Sequence, residues 1–335
     1  MLEFMSVTTR ILRAGYAFLS LPFFARLSDF LLNAEFRLHI AINSVIRPKS
    51  PAPLVKLVIP VYNVERYLAT CLRSVQAQNY SNIHVILVDD GSTDGSRRIA
   101  QQFQRKLKIT FIQQPNAGIS AARNNGIRAI KQCDYVMFLD SDDSLAANSI
   151  SQLVRQAEKT GSDFVMADTR RTKGVVWVKR IDTRAVFSQG NIERTSFAEH
   201  PEVIQDLTAW NRLFRWDFYK NNQLEFPLGR FFEDFTTMTA AFVAADSFDV
   251  LAQPIYNWRI RTEGSASITQ QSGDDVKFTH RLEELRKVKS MIENAIVSGK
   301  ATRANLEAFS ERVMRHDLRL HPDKLKELSE LATID

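Results

Sequence analysis

The order of apolar runs and helical stretches predicts an α/β protein built on a mostly parallel sheet with helices on its faces. Three observations carry the prediction. Short apolar runs recur at Val55–Val61, His84–Val88 and Tyr135–Leu139, the first of them rich in β-branched residues and each too brief for a helix. Segments with helical apolar spacing separate them, the alternation expected of parallel strands joined by crossover helices. Each run also stops at a polar cluster: Tyr62-Asn63, Asp89-Asp90 and Asp140-Ser141-Asp142. Ligands of open α/β sheets bind at the carboxyl ends of the strands, so three clusters there point to one site.

Taken in order, the first fifty residues form an amphipathic helical extension. The most apolar window, residues 14–25, is twelve residues long, holds Pro22 and is closed by Arg13 and Arg26. A bilayer span needs about 20 apolar residues. Six Lys/Arg face three acids in residues 1–50, a balance that suits peripheral contact with an anionic membrane or packing on the catalytic domain. Prolines at 48, 51 and 53 stop any helix and mark a boundary. Residues 1–53 are therefore read as extension and linker, 54–270 as the main domain, and 271–335 as a helical C-terminal region.

Within the main domain, residues 64–78 place Leu68, Leu72 and Val75 on one helical face. A helix over Ser96–Lys106, a strand over Lys108–Gln113 and a helix over Ser120–Lys131 follow. The stretch 164–208 is less regular, and Gly174–Val178 reads as part of a small antiparallel unit. Helices return over Thr237–Ala245 and dominate Asp275–Leu331, where Leu282, Leu285, Val288, Met291 and Ile292 repeat at helical spacing.

Composition narrows the function classes. The 335 residues carry 44% hydrophobic and 24% charged side chains, an ordinary globular balance. Two cysteines, Cys71 and Cys133, cannot build a disulfide framework or a cysteine zinc site, and a reducing, cytoplasmic setting is expected. The net charge of +6 suits anionic ligands, but no basic, aromatic-interleaved block points to nucleic acid. Neither phosphate-binding glycine signature is present, so an anion here would be held by metal and basic side chains, with Arg123, Arg259 and Arg261 as candidates.

The clusters carry definite chemistry. Asp140 and Asp142 on one turn, with Asp143 adjacent, form a hard oxygen site for Mg²⁺ or Mn²⁺ able to neutralise a diphosphate leaving group. Glu233 and Asp234 sit between bulky aromatics in Phe231-Phe-Glu-Asp-Phe235, where partial desolvation raises proton affinity and suits a general base. The same pair also reads as acids complementing the dipole of the helix that follows.

Val58-Ile-Pro-Val-Tyr-Asn63, Val88-Asp-Asp-Gly-Ser-Thr-Asp94, Asn116–Gly126 and Phe138-Leu-Asp-Ser-Asp-Asp143, in that order, resemble glycosyltransferase family two with its GT-A fold. Glu233-Asp234, Ile255–Arg261 and Ser265-Ala-Ser267 are similar to the family's later signatures, so the resemblance runs from about Val55 to Ile268. It implies an inverting, metal-dependent transfer from a nucleoside-diphosphate sugar, UDP most often, to a hydroxyl of a glycan or lipid-linked glycan in surface polysaccharide or lipopolysaccharide assembly. By position, Pro60, Tyr62 and Asn63 line the nucleoside pocket, with Tyr62 stacking on the base and Asp90 and Asp89 hydrogen-bonding it. Asp142 binds metal, and Asp140 shares the metal or orients the sugar side of the donor. Arg123, Arg259 and Arg261 meet phosphate. Asp234 is the base, with Glu233 second. The resemblance also admits oligomers and a place at the inner face of the plasma membrane. His84 stands where many relatives carry Glu and is assigned no role. Two other readings share parts of the pattern. A sugar-phosphate nucleotidyltransferase would want a glycine-rich basic loop, where this chain has Pro60-Val-Tyr-Asn63. A non-catalytic subunit would show a degraded acidic motif, whereas Asp140, Asp142 and Asp234 are intact.

Overall fold

A computed structural model describes residues 30–40, 52–173, 176–179, 183–261 and 275–334. The apolar window at 14–25 and Ser265-Ala-Ser267 lie outside the described residues. The parallel half of the sheet is β1 (Val55–Val61), β2 (Ile83–Asp89), β3 (Ile109–Gln113) and β4 (Tyr135–Phe138). They order as β3-β2-β1-β4, all parallel, with Val61 opposite Asp89 and Val58 opposite Phe138. The strand ends bearing the polar clusters therefore lie side by side at one edge.

Beyond β4 the sheet turns mixed. β9 (Arg212–Arg215) runs antiparallel between β4 and β6 (Phe164–Lys173), and β6 pairs parallel with β10 (Phe248–Arg259). The two-residue β5 (Ser144–Leu145) and β8 (Ile192–Thr195) pair antiparallel with β10. β7 (Val176–Lys179) pairs antiparallel with β6, the antiparallel unit expected near 174–178. β9 reverses between β4 and β6, so β6 and β10 point the same way as β1. Their carboxyl ends join the same edge.

Helices cover both faces, which is why β1 is buried nearly throughout rather than alternating. Leu57 and Ile59 pack with α1 (Glu65–Gln76), α2 (Ser96–Phe103) and α4 (Ser149–Thr160) through Leu68, Leu72, Ala100 and Leu153. Val58, Val88 and Phe138 pack with α3 (Ile119–Arg128), α6 (Asp234–Ala244) and the C-terminal helices α7 (Asp275–Val297), α8 (Arg303–Arg312) and α9 (Leu325–Ala332). A short helix, α5 (Trp216–Asn221), follows β9. The helix over 30–40 buries Phe36 and docks on α1 through Asn33, which bonds Thr70 and Arg73. Among the described residues no helix is long and apolar enough to cross a membrane.

Two glycines fix the site's scaffold. Gly91 adopts φ +78° in the turn after Asp90, where a side chain would also press on the backbone of Asn116. Gly126 lets α3 lie directly on β1, since a Cβ there would stand 2.5 Å from Val58 Cγ1. Alanine is the better helix former, yet that contact is with a buried central strand. Gly126→Ala is expected to destabilise by about 1–3 kcal/mol, read as a lower denaturation midpoint that Val58→Ala partly restores.

Candidate active site

β1 delivers Pro60 and Tyr62 to the edge; Pro60 is buried within the strand, while Tyr62 is 48% exposed just past its end. Asn63 takes φ 49° and binds the 92–93 turn, its N–H donating to Ser92 Oγ (3.1 Å) and its Oδ1 accepting from the Thr93 N–H (2.8 Å). Tyr62 is thus a projecting ring on a turn locked to the end of β2.

Asp89 and Asp90 are buried and hold loops. Asp89 Oδ1 accepts from the Ser92 N–H at 3.0 Å, and its Oδ2 faces Arg97 Nε at 3.4 Å. Asp90 Oδ1 accepts from Gln114 Nε2 (2.7 Å) and the Ala117 N–H (2.8 Å), and its Oδ2 from the Gly118 N–H (2.9 Å). A carboxylate offers about four acceptor positions, so Asp90 retains one for a ligand while aiming the Asn116–Gly118 loop.

The Asp140–Asp143 turn after β4 is gripped from β10. Tyr256, wholly buried, accepts from the Asp140 N–H (3.1 Å) and donates to Asp143 Oδ2 (2.9 Å). The Arg259 N–H donates to Asp143 Oδ1 (2.7 Å), and Arg259 Nε to the Asp142 carbonyl (2.9 Å). Arg261 Nε pairs with Asp142 Oδ2 at 2.8 Å. Both arginines lie 5.4 Å from the Tyr67 ring centroid on α1. Burial raises the proton affinity of Asp142 despite Arg261, and lifts Asp143 further, with Asp142 and Asp140 adding repulsion. Three carboxylates thus share one turn, with Arg261 paired to Asp142 and Arg259 bonded to the turn's backbone and to Asp143.

Arg123, expected as a phosphate contact, lies instead inside the protein, 2% exposed on α3. Its Nη1 bonds Glu233 Oε1 at 2.6 Å and its Nη2 bonds Asp140 Oδ1 at 2.8 Å, with Phe226 beneath the guanidinium at 5.0 Å. One cation therefore ties the Asp140 turn to the Glu233-Asp234 pair. Burial alone would weaken its hold on a proton; Asp140 and Glu233 outweigh that and strengthen it.

Asp234 opens α6, three residues earlier than the spacing predicts, with Glu233 at the capping position but making no side-chain cap. A helix N-terminus favours ionised acids. Burial wins here: it raises Glu233 against the pull of Arg123, and it pushes Asp234 up to about 7, with Glu233 adding repulsion. A carboxyl poised near neutral pH, joined through Glu233 and Arg123 to the Asp140 turn, fits a general base. Burial likewise pushes the Cys133 thiol up to about 12 and raises that of Cys71 well above its ordinary value; both cysteines are free.

Sequence reasoning missed Tyr256 and Tyr67, which orient the acidic turn and its arginines. Tyr256 lies inside the Ile255–Arg261 motif, so the signal was present without its role. A cleft of about 570 Å³ at the opposite edge of the sheet, lined in part by Pro53, Cys133, Asp134 and Arg215, contains none of the expected residues.

Residues 56–222 match the family model described as glycosyl transferase family 2. The chain is 30% identical over 226 residues to the glycosyltransferase GlyA of Streptococcus pneumoniae, covering 64% of this chain and 31% of GlyA. It is 30% identical over 230 residues to EpsJ of Bacillus subtilis, an uncharacterised glycosyltransferase, covering 65% of this chain and 63% of EpsJ. The chain thus spans less than two thirds of either relative. A crystal structure of S. aureus TarS in complex with UDP-GlcNAc superposes with a TM-score of 0.69 at 23% identity, covering 82% of this chain and 76% of that one. That likeness places the fold as GT-A-like, an α/β fold with a mostly parallel sheet between helices.

Proposed function

Because the chain belongs to glycosyl transferase family 2, we propose that it moves a sugar, with inversion, from a nucleoside-diphosphate sugar to an acceptor hydroxyl. The observation that supports this reading is the Arg123 bridge from Asp140 of the acidic turn to Glu233, next to which Asp234 is raised to about 7. Asp234 takes the proton of the acceptor hydroxyl as its oxygen bonds to the anomeric carbon. The bond from that carbon to the diphosphate breaks, and its electrons leave with the nucleotide. Arg123 holds Glu233 and Asp140 in register, a positioning role in place of phosphate contact. Tyr62 stacks on the base and Asp90 accepts from it, with Asn63 and Asp89 setting their turns. Arg259 and Arg261 are the proposed phosphate contacts, a role supported by their place against the Asp142 turn.

Asp140 and Asp142 fit a hard divalent cation, Mg²⁺ or Mn²⁺. Each is paired with its arginine through one carboxylate oxygen, Asp140 Oδ1 with Arg123 and Asp142 Oδ2 with Arg261, which leaves the other oxygen of each to face an ion. Among the described residues no group of three or more acids, histidines or cysteines could hold an ion unaided. The shell would be completed by phosphate oxygens and water, the usual arrangement for Mg²⁺. When bound, such an ion neutralises the departing diphosphate. Chelation with EDTA is expected to abolish nucleotide release, and added Mn²⁺ to restore it.

UDP is the proposed nucleotide, supported by the neighbour that holds UDP-GlcNAc. The proposed acceptor is a glycan or lipid-linked glycan of a surface polysaccharide. Peripheral membrane contact is supported by the helix over 30–40, which turns Phe36 inward and leaves Phe30, Leu31 and Leu38 exposed.

The test is nucleotide release from a panel of UDP-, GDP- and dTDP-sugars with Mn²⁺, with and without simple glycoside acceptors. Turnover is expected with one nucleotide class. A base must be deprotonated to act, so kcat/KM should fall as pH drops through about 7. Release from no donor, or a rate flat across that range, would contradict the reading.

A further inference from the structure

The C-terminal region carries no family motif, yet one face of α7 meets Phe231, Phe232, Phe235 and Thr236 of the base-bearing turn. Lys277, His280, Arg281 and Glu284 fall at i, i+3, i+4 and i+7, a single helical stripe. Lys277 Nζ lies 5.2 Å from the Phe231 ring centroid. His280 Nδ1 accepts from the Phe231 N–H at 3.3 Å. The Arg281 guanidinium lies 4.6 Å from the Phe232 ring and 5.3 Å from that of Phe235. Glu284 Oε2 accepts from Thr236 Oγ1 at 2.9 Å, and neighbouring Glu283 pairs with Arg230. Phe231, Phe232, Phe235 and Thr236 bracket Glu233 and Asp234 on both sides.

Two features show that this contact constrains the turn as well as filling space. Phe232, immediately before the dyad, sits at φ +62°, a left-handed conformation that bulky side chains avoid and that persists only where the surroundings over-determine it. The groups that hold it are charged and buried: Arg281, Glu284 and, behind them, Asp317. Arg281 Nε donates to Asp317 Oδ1 at 2.6 Å, Asp317 is presented by the π-helical turn Val313–Asp317, and Arg312 of α8 stacks 4.7 Å from Phe235. Buried charges are costly unless paired, and directional pairs fix geometry where apolar packing would allow sliding.

We propose that α7, braced by Asp317, is a cradle that sets the 231–236 turn, and that Arg281 and Glu284 are positioning residues for the transfer. This rests on Asp234 being the base. Neither residue touches donor or acceptor; each acts through the turn.

The experiment uses the full chain carrying Arg281→Met, Glu284→Ala, Glu284→Gln or Thr236→Val, with Asp234→Asn in parallel. Nucleotide release is measured with whichever UDP-, GDP- or dTDP-sugar the unaltered chain turns over fastest, and amide exchange is followed across 230–237. Arg281→Met, Glu284→Ala and Thr236→Val are expected to lower kcat about ten- to hundredfold, with donor KM within about twofold. Exchange should quicken about tenfold in that segment and stay unchanged in β1 and β4. Glu284→Gln keeps an acceptor for Thr236 and should stay within about threefold of the unaltered kcat. Folded variants with unchanged kcat, whatever their exchange, would overturn the proposal. So would a KM that rises as kcat falls, or unchanged exchange. If Arg281→Met does not fold, Glu284→Ala and Thr236→Val decide. Turnover surviving Asp234→Asn would sink the base assignment itself. Loss there with fully active cradle variants would sink only the cradle.

Discussion

Asp234→Asn should reduce kcat by about 10²–10⁴-fold, the usual contribution of a positioned proton acceptor. Asparagine keeps the shape and removes the ability to take a proton. Asp234 lies across Arg123 and Glu233 from the acidic turn, so donor affinity should stay within about twofold. Stability gives an independent sign. Folding raises the proton affinity of Asp234 to about 7 through burial and the nearness of Glu233. A group so raised contributes stability that is fully present below the ordinary carboxylate range and is lost as pH climbs through about 7. Above that pH its ionised form burdens the fold. The asparagine variant should therefore melt no lower than the unaltered chain at pH 8, while being nearly inactive. A variant both inactive and unfolded would assign Asp234 a structural duty instead.

Arg123→Met should have the largest effect on stability. The guanidinium is buried between Glu233 and Asp140, at 2.6 and 2.8 Å. Removing one partner of a buried pair leaves the other uncompensated and costs about 3–5 kcal/mol. Asp140 is 23% exposed and water can meet part of its need, which favours the lower end. Glu233 has no such outlet and should take up a proton. The double variant Arg123→Met with Glu233→Gln should thus recover part of the midpoint lost by the single change. It should not recover activity, because the link between the acidic turn and the base stays broken. Denaturant midpoints and kcat on the three chains read both quantities.

The strands at the site were legible because β1, β2 and β4 are buried on both faces and read as unbroken apolar runs. The strand-end clusters were legible for the same reason: each apolar run ends abruptly in acids or Asn. Element ends were less so; α6 begins at Asp234, where aromatics and acids blur the helical spacing that starts clearly only at Thr237. What no local pattern carries is the pairing of distant side chains. Arg123 and Glu233 are 110 positions apart, and Asp143 and Tyr256 are 113. From sequence Arg123 is simply a basic residue in a donor motif, and only the fold turns it inward. Likewise the polar stripe of α7 looks like a solvated face, because Lys277, His280, Arg281 and Glu284 are what a surface helix carries. The burial of Lys277, Arg281 and Glu284, and the half-burial of His280, follow from the 231–236 turn they meet. His84, assigned no role from sequence, accepts from Lys56 Nζ at 2.7 Å and lies 2.8 Å from Thr110 Oγ1 across neighbouring strands.

The most direct measurement of the donor site is the thermal shift produced by UDP with and without Mn²⁺, on the unaltered chain and on Asp142→Asn. A ligand that binds only the folded state at a hundred times its dissociation constant adds about 2.7 kcal/mol to apparent stability. The melting temperature should rise only when both UDP and metal are present, and the rise should be lost in Asp142→Asn. No shift with UDP, GDP or dTDP in the presence of metal, or an equal shift in Asp142→Asn, would contradict the proposed donor site.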